Sequence, residues 1–311
     1  GTFTDVTEEA GVFFPDGRAM SAIATDLNND GHLDIYVTND ATPNCYYVSN
    51  GKGKFAEEAM MWGVAFGEGG QGASSMGPVV GDVDGNELLD LFIPDMGYNC
   101  LLVNRGNGFI DVTAPTNLAV ICGQYTGWGG ILFDYDNDGW LDAFVANGNA
   151  HHEYTEEDVL ARNNGKGKFI DVAVHSGEYF HEKYVCRGAS YADYDNDGDL
   201  DLLINVLNGP AKLLRNDGGN RNNWLLVSPK LPATKMIAIG SRVTVTVGDA
   251  KQIREVVGVT GYLSQSDLRA HFGLGKADKA DLVEIRWPGG RTTTLRNVKA
   301  DQMLEVIQPN D

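Results

Sequence analysis

The sequence predicts an all-β fold built from four-stranded units, and three observations carry the prediction. Four short acidic loops obey one spacing rule, and a landmark of glycine shortly before phenylalanine repeats with the same period. Helical periodicity is nearly absent, apart from a turn expected at 155–158.

The first loop carries Asp26, Asn28, Asp30 and Asp34, and the second Asp82, Asp84, Asn86 and Asp90. The third carries Asp134, Asp136, Asp138 and Asp142, and the fourth Asp193, Asp195, Asp197 and Asp201. Oxygen-bearing side chains thus stand at loop positions 1, 3, 5 and 9 each time. Calcium is a hard cation that takes about six to eight oxygens, and clustered carboxylates supply them. Position 7 is expected to offer its backbone carbonyl, so its side chain varies: His32, Leu88, Trp140 and Asp199. Glycine at position 6 allows a sharp turn in three loops. In the second loop Gly85 comes early and Glu87 stands at position 6. Position 12 is Val37, Ile93, Val145 or Ile204, and an apolar strand follows each loop, which excludes the EF-hand. Carboxylates this crowded repel one another unless a cation lies between them. About four Ca²⁺ ions are therefore the expected cofactors.

The loops begin at 26, 82, 134 and 193, in steps of 56, 52 and 59 residues. The second landmark keeps that beat in Gly1-Thr-Phe3, Gly53-Lys-Phe55, Gly108-Phe109 and Gly167-Lys-Phe169. Each unit reads as a strand into the loop, an apolar strand out of it, a third strand, and a hairpin to the outer Phe strand. Four-stranded units repeated at this length describe a β-propeller, with a solenoid as the alternative. The last unit starts its hairpin at 211–216, but no Phe strand follows. Gly1–Thr7 would supply one in a self-closed four-bladed ring. The favoured expectation is instead the C-terminal part of a longer propeller, because the sequence starts inside a hairpin.

Residues 1–220 are assigned to the blades and 221–311 to a small antiparallel β domain. Its strands are expected at 224–227, 242–247, 254–257, 282–287, 292–295 and 303–307, with a hairpin at Pro288-Gly289-Gly290.

The net charge of −19 argues against nucleic acid and anionic membrane surfaces as partners, and four Ca²⁺ would still leave it at −11. No apolar run approaches the ~18 residues of a membrane-spanning helix. No leader peptide opens the sequence, and a processed or truncated product would have lost one. Cys45, Cys100, Cys122 and Cys186 show no zinc spacing and read as buried thiols.

Three C-terminal stretches resemble the ASPIC/UnbV domain: Gly261–Asp267, His271–Gly275 and Val283–Arg291. The acidic repeats resemble FG-GAP (VCBS, integrin-α-like) repeats. Together they resemble the cartilage acidic protein family. The resemblance implies a calcium-loaded propeller of about seven blades in a secreted or surface protein. Four repeats are present here.

Composition, loops and resemblance lead to an extracellular, cell-surface or periplasmic recognition module with structural calcium and a protein or glycan partner. The expected ligand surface follows the second strands: Asn39, Asp40, Asn44, Asp95, Tyr98, Asn99, Asn147, His151, His152, Tyr154, Asn205 and Asn208. An alternative is a propeller-face lyase or hydrolase acting on a carbohydrate, with His151, His152, Glu153 and Tyr154 as acid–base or metal-holding groups. No nucleophile elbow or phosphate-binding loop is present. A third reading is an assembly subunit whose propeller is completed by another chain. Tyr262, Gln265, Ser266 and His271 are its expected contact residues in the C-terminal domain.

Overall fold

The computed structural model describes residues 1–310. The repeats form successive antiparallel meanders. Blade one runs β1 (Ala19–Thr25), β2 (Asp34–Asn39), β3 (Cys45–Ser49) and β4 (Phe55–Glu57). Blade two runs β5 (Val79–Gly81), β6 (Asp90–Ile93), β7 (Cys100–Asn104) and β8 (Phe109–Asp111). Blade three runs β9 (Gly127–Phe133), β10 (Asp142–Asn147), β11 (Val159–Asn163) and β12 (Phe169–Asp171). Blade four has three strands, β13 (Cys186–Ala192), β14 (Asp201–Val206) and β15 (Lys212–Leu214). Each acidic loop joins the first strand of its blade to the second.

Apolar side chains are buried between neighbouring blades. One cluster joins Ile23 and Tyr36 to Leu91 and Leu102, a second Phe92 and Leu101 to Val145 and Val159, and a third Phe144 and Leu160 to Ile204 and Leu202. The first strands of blades two, three and four pack side by side. This is how propeller blades leave only short, protected edges.

Gly1–Val6 forms no strand and is exposed, and Thr7–Ala10 is a helical turn. The fourth outer strand of a self-closed ring is therefore absent. The expected turn at 155–158 is absent too, because Glu156 pairs backbone to backbone with Tyr184 at 2.8 and 2.9 Å. Short helices instead follow the outer strands, at Ala59–Trp62 and Leu118–Cys122. All four cysteines are free and buried.

Two further sheets enclose one core that includes Leu225, Phe272, Val245, Val283 and Trp287. The first sheet holds β16 (Asn223–Lys230), β19 (Ala270–Gly275) and β22 (Gln302–Ile307). The second holds β17 (Arg242–Val247), β18 (Ala250–Glu255), β20 (Lys279–Arg286) and β21 (Thr292–Lys299). Pro288–Gly290 turns β20 into β21 as expected. One pair departs from the antiparallel expectation: β22 returns parallel to β16. β19 lies in the stretch read only as a motif.

These sheets sit on the face of the acidic loops. Arg242 reaches Asn29 Oδ1 at 2.7 Å and the Asp26 carbonyl at 3.2 Å. Gly275 N–H donates to the Asn137 carbonyl at 3.0 Å, and Arg269 to the Asp193 carbonyl at 3.0 Å. The Gly261–Asp267 stretch enters the blades beside their first strands. Gly261 N–H donates to the Pro78 carbonyl at 3.2 Å, and the Tyr262 ring lies 5.1 Å from that of Trp128. Glycine is required there: a Cβ on Gly77 would lie 2.0 Å from Gly261 C and Tyr262 N.

Candidate metal centres in the acidic loops

The four loops share one hydrogen-bond cage. The position-1 carboxylate accepts the N–H groups of positions 5 and 6: Asp30 and Gly31 on Asp26, Asn86 and Glu87 on Asp82, Asp138 and Gly139 on Asp134, Asp197 and Gly198 on Asp193. The position-5 side chain accepts the N–H of position 7, at 2.8 Å for His32 and Leu88, 3.0 Å for Trp140 and 3.1 Å for Asp199. Left-handed residues at positions 4 and 6 curl the chain around the carboxylates. Position 4 is Asn29, Asn137 or Asn196, with φ of 60°, 55° and 63°.

The second loop explains its own irregularity. Gly85 takes the left-handed position 4 at φ 73°, and Glu87 takes position 6 at φ 67°. The glycine has moved from one left-handed position to the other. A non-glycine residue there costs about 1–2 kcal/mol, and the Glu87 carboxylate meets Lys251 at 3.0 Å.

The position-9 carboxylate closes each cage. One oxygen accepts an N–H at the end of the third strand, from Ser49, Asn104 or Asn163, or, in blade four, from Asn216 two residues past β15. In blades two to four the other oxygen accepts the position-2 N–H of Val83, Tyr135 or Tyr194. In blade one that oxygen instead accepts the Tyr46 hydroxyl at 2.6 Å.

Oxygens of Asp82, Asp84 and Asp90 lie within 4.8 Å of one another, as do those of Asp134, Asp136 and Asp142, and of Asp193, Asp195 and Asp197. Loop one differs, with Asn28 at position 3 and Arg286 paired to Asp26 at 2.9 Å. Burial pushes Asp134 up to about 7, Asp199 to about 7 and Asp201 to about 6, and raises Asp34, Asp82, Asp90, Asp136, Asp138, Asp142 and Asp193. Asp136 Oδ1 is buried and accepts no hydrogen bond. Buried, converging, under-satisfied carboxylate oxygens fit a hard divalent cation. Position 7 is expected to contribute only its backbone carbonyl. His32 is exposed and Leu88 half-buried, but Asp199 is fully buried and both its oxygens lack a hydrogen bond. An acid at that position was the available signal.

The expected ligand surface divides. Asn39, Asn44, Asp95, Asn99 and Asn147 are buried. They hold their own turns: Asn39 donates to the Pro43 carbonyl, Asp95 accepts from Tyr98 and Asn99, and Asn147 donates to the Glu157 carbonyl. Asp40 and Tyr98 are half-buried, whereas His151, His152, Tyr154, Asn205 and Asn208 are exposed. His152 lies 3.7 Å from Glu153, on the surface. Two of the expected contact residues in the C-terminal domain face inward. Ser266 Oγ accepts the Tyr191 N–H at 3.2 Å, and buried His271 meets the Gly198 carbonyl at 3.2 Å. Burial lowers the His271 pKa to about 4, so it is neutral.

The model of the FG-GAP-like repeat matches residues 26–93, 82–145 and 134–204, each match running from one acidic loop through the strand after the next. The chain belongs to the FG-GAP-like repeat family. The ASPIC and UnbV model matches residues 232–311 of this FG-GAP chain. Cartilage acidic protein 1 of Homo sapiens is 26% identical over 371 residues, covering 95% of this chain and 54% of the relative. The Mus musculus protein of the same name is 26% identical over 324 residues, covering 99% and 48%. The chain thus spans about half the length of these relatives. An Agrocybe aegerita lectin specific for non-reducing terminal N-acetylglucosamine aligns at TM-score 0.41 and 20% identity, over 94% of this chain and 83% of its own. The V. cholerae biofilm matrix protein Bap1 aligns at 0.33 and 14%, over 93% and 61%. Likenesses this remote carry no functional inference.

Proposed function

We propose that this chain is an extracellular recognition or structural module in which Ca²⁺ ions in the acidic loops brace a propeller. Residues 1–220 form its blades and 221–311 its ASPIC/UnbV-type cover. The carrying observation is the cage repeated in four loops, with carboxylates converging in three of them. Supporting it are the FG-GAP-like repeats and the relatives named cartilage acidic protein 1. Bound calcium would supply the positive charge that the buried carboxylates lack. The chain supplies the position-1, -3, -5 and -9 side chains and the turn that gathers them. A protein or glycan partner would meet the exposed turns at His151, His152, Tyr154, Asn205 and Asn208. No helix among the described residues is long and apolar enough to cross a membrane.

Native mass spectrometry before and after chelation, paired with thermal melting, tests this. About four calcium masses per chain and a melting temperature lowered by EGTA are expected. Unchanged melting once calcium is shown to be gone would falsify the structural role.

A further inference from the structure

We propose that loop one is the binding site of a guanidinium, that of Arg286 in the cover, and is for that reason the weakest of the four calcium sites. The proposal rests on the calcium reading above and adds which loop fills last.

Loop one gives every carboxylate oxygen a donor. Asp26 Oδ1 accepts the Asp30 N–H at 2.9 Å, and Asp26 Oδ2 accepts the Gly31 N–H at 3.1 Å and Arg286 Nη2 at 2.9 Å. Asp30 Oδ1 accepts the His32 N–H at 2.8 Å, and its Oδ2 accepts the Asn28 amide at 3.0 Å. Asp34 accepts the Ser49 N–H at 2.8 Å and the Tyr46 hydroxyl at 2.6 Å. Loops three and four are built otherwise. Asp136 Oδ1 and both oxygens of Asp199 are buried without a donor. Such oxygens are costly unless a cation meets them. In loop one the chain itself has met that demand.

Charge points the same way. Loop one offers three carboxylates, Asp26, Asp30 and Asp34, where loop three offers four. Arg286 then cancels one of the three. Loop two also has three, and its Asp84 pairs with Arg105. The Asp84 side chain is 28% exposed, however, so water screens that pair, whereas Asp26 is 4% exposed. A positive charge fixed on a buried ligand carboxylate opposes the entry of a divalent ion among the same groups.

The guanidinium is held in place by its neighbours. Arg286 lies opposite Arg242 in the next strand, and Arg242 opposite Glu255 in the strand beyond. Glu255 pairs with Arg242 at 2.9 Å and accepts the Thr25 hydroxyl at 2.7 Å. Arg242 reaches Asn29 Oδ1 at 2.7 Å. The side chains of Arg242 and Glu255 are nearly fully buried. Three adjacent strands of the cover thus clamp one loop, and the clamp sets Arg286 on its first carboxylate.

Native mass spectrometry of the full chain across a calcium titration reads the order of filling. Three ions should bind first, and a fourth only at roughly tenfold higher calcium or above. Arg286→Met should bring the fourth step down by roughly tenfold. Arg286→Lys keeps the charge and should leave the step nearly where it was, as should Lys299→Met, which removes an exposed charge from β21. Asp30→Asn should abolish the fourth step and spare the first three. Hydrogen exchange gives a second readout: calcium sufficient for three ions should slow exchange over 134–142 and leave 26–34 unchanged. Four ions of like affinity, a fourth step that Arg286→Met does not move, or joint slowing of both segments overturns this proposal alone. Binding of no calcium at all overturns the calcium reading, and this proposal with it.

Discussion

Asn163 ties blade three to blade two: its side-chain amide donates to the Val83 carbonyl in the neighbouring acidic loop at 2.9 Å. Asn104 reaches Leu27 at 2.8 Å and Asn216 reaches Tyr135 at 2.7 Å in the same way. Each amide also faces the position-8 carbonyl of its own loop, and each Oδ1 accepts a glycine N–H two residues on. One side chain thus joins two loops and a hairpin. Ser49 holds this place in blade one, where its hydroxyl accepts the Gly51 N–H.

Asn163→Ser keeps an acceptor for the Gly165 N–H but, with a shorter side chain, withdraws the amide that reaches the Val83 and Leu141 carbonyls and leaves both short of a partner. A loss of ~1–3 kcal/mol is expected, read by urea denaturation. Ser49→Ala should cost less. Equal losses would show that the bond between blades contributes nothing.

Asp136→Ala removes a carboxylate with a buried, unpartnered oxygen from the third loop. The variant should bind one calcium fewer and melt at lower temperature in calcium. In EGTA the gap to the parent should shrink, because a ligand stabilises only the form that binds it. Asp249→Ala, at an exposed turn outside the loops, should match the parent in both buffers.

Asp158 gives a pH dependence away from the loops. Its carboxyl accepts the Tyr179 hydroxyl at 2.5 Å and the Asn147 N–H at 2.7 Å, and burial pushes its pKa to about 7 from an ordinary 3.8. A carboxyl with a raised folded value holds its proton more tightly in the native state. Its contribution is therefore greatest in acid and is lost as the pH climbs from about 4 to about 7. Asp158→Asn should flatten that part of the stability curve, measured by denaturation from pH 4.5 to 8 in EGTA. An unchanged slope would show that Asp158 titrates normally.

Gly77→Ala tests the loop that enters the blades. Its new methyl would collide with the Gly261 and Tyr262 backbone, and neither chain has a flexible end to yield. A loss of ~1–3 kcal/mol is expected, with faster proteolysis in the 258–267 segment. Gly218→Ala meets nothing within 4 Å and should be silent.

The sequence by itself determined the blades, the loops and their period. Those signals are local: alternating strands, oxygen at fixed spacing, and glycine or asparagine where the chain turns left-handed. Even the second loop was legible as a cage, although its displaced glycine hid the match. Side-chain partners far along the chain were decided only by tertiary structure. Asn39, Asp95 and Asn147 read as a ligand surface because polar loop residues are usually wet, yet packing turned them inward onto backbone groups. The Gly261–Asp267 motif gave no sign that it would lie among the first strands, since its partners at Pro78, Trp128 and Tyr191 are remote in sequence. The same holds for Asp199, whose burial depends on how the fourth loop packs. Spacing along a chain reports on neighbours within one turn or hairpin. Burial and hydrogen-bond partners across blades depend on how whole sheets pack, and only the folded chain decides that.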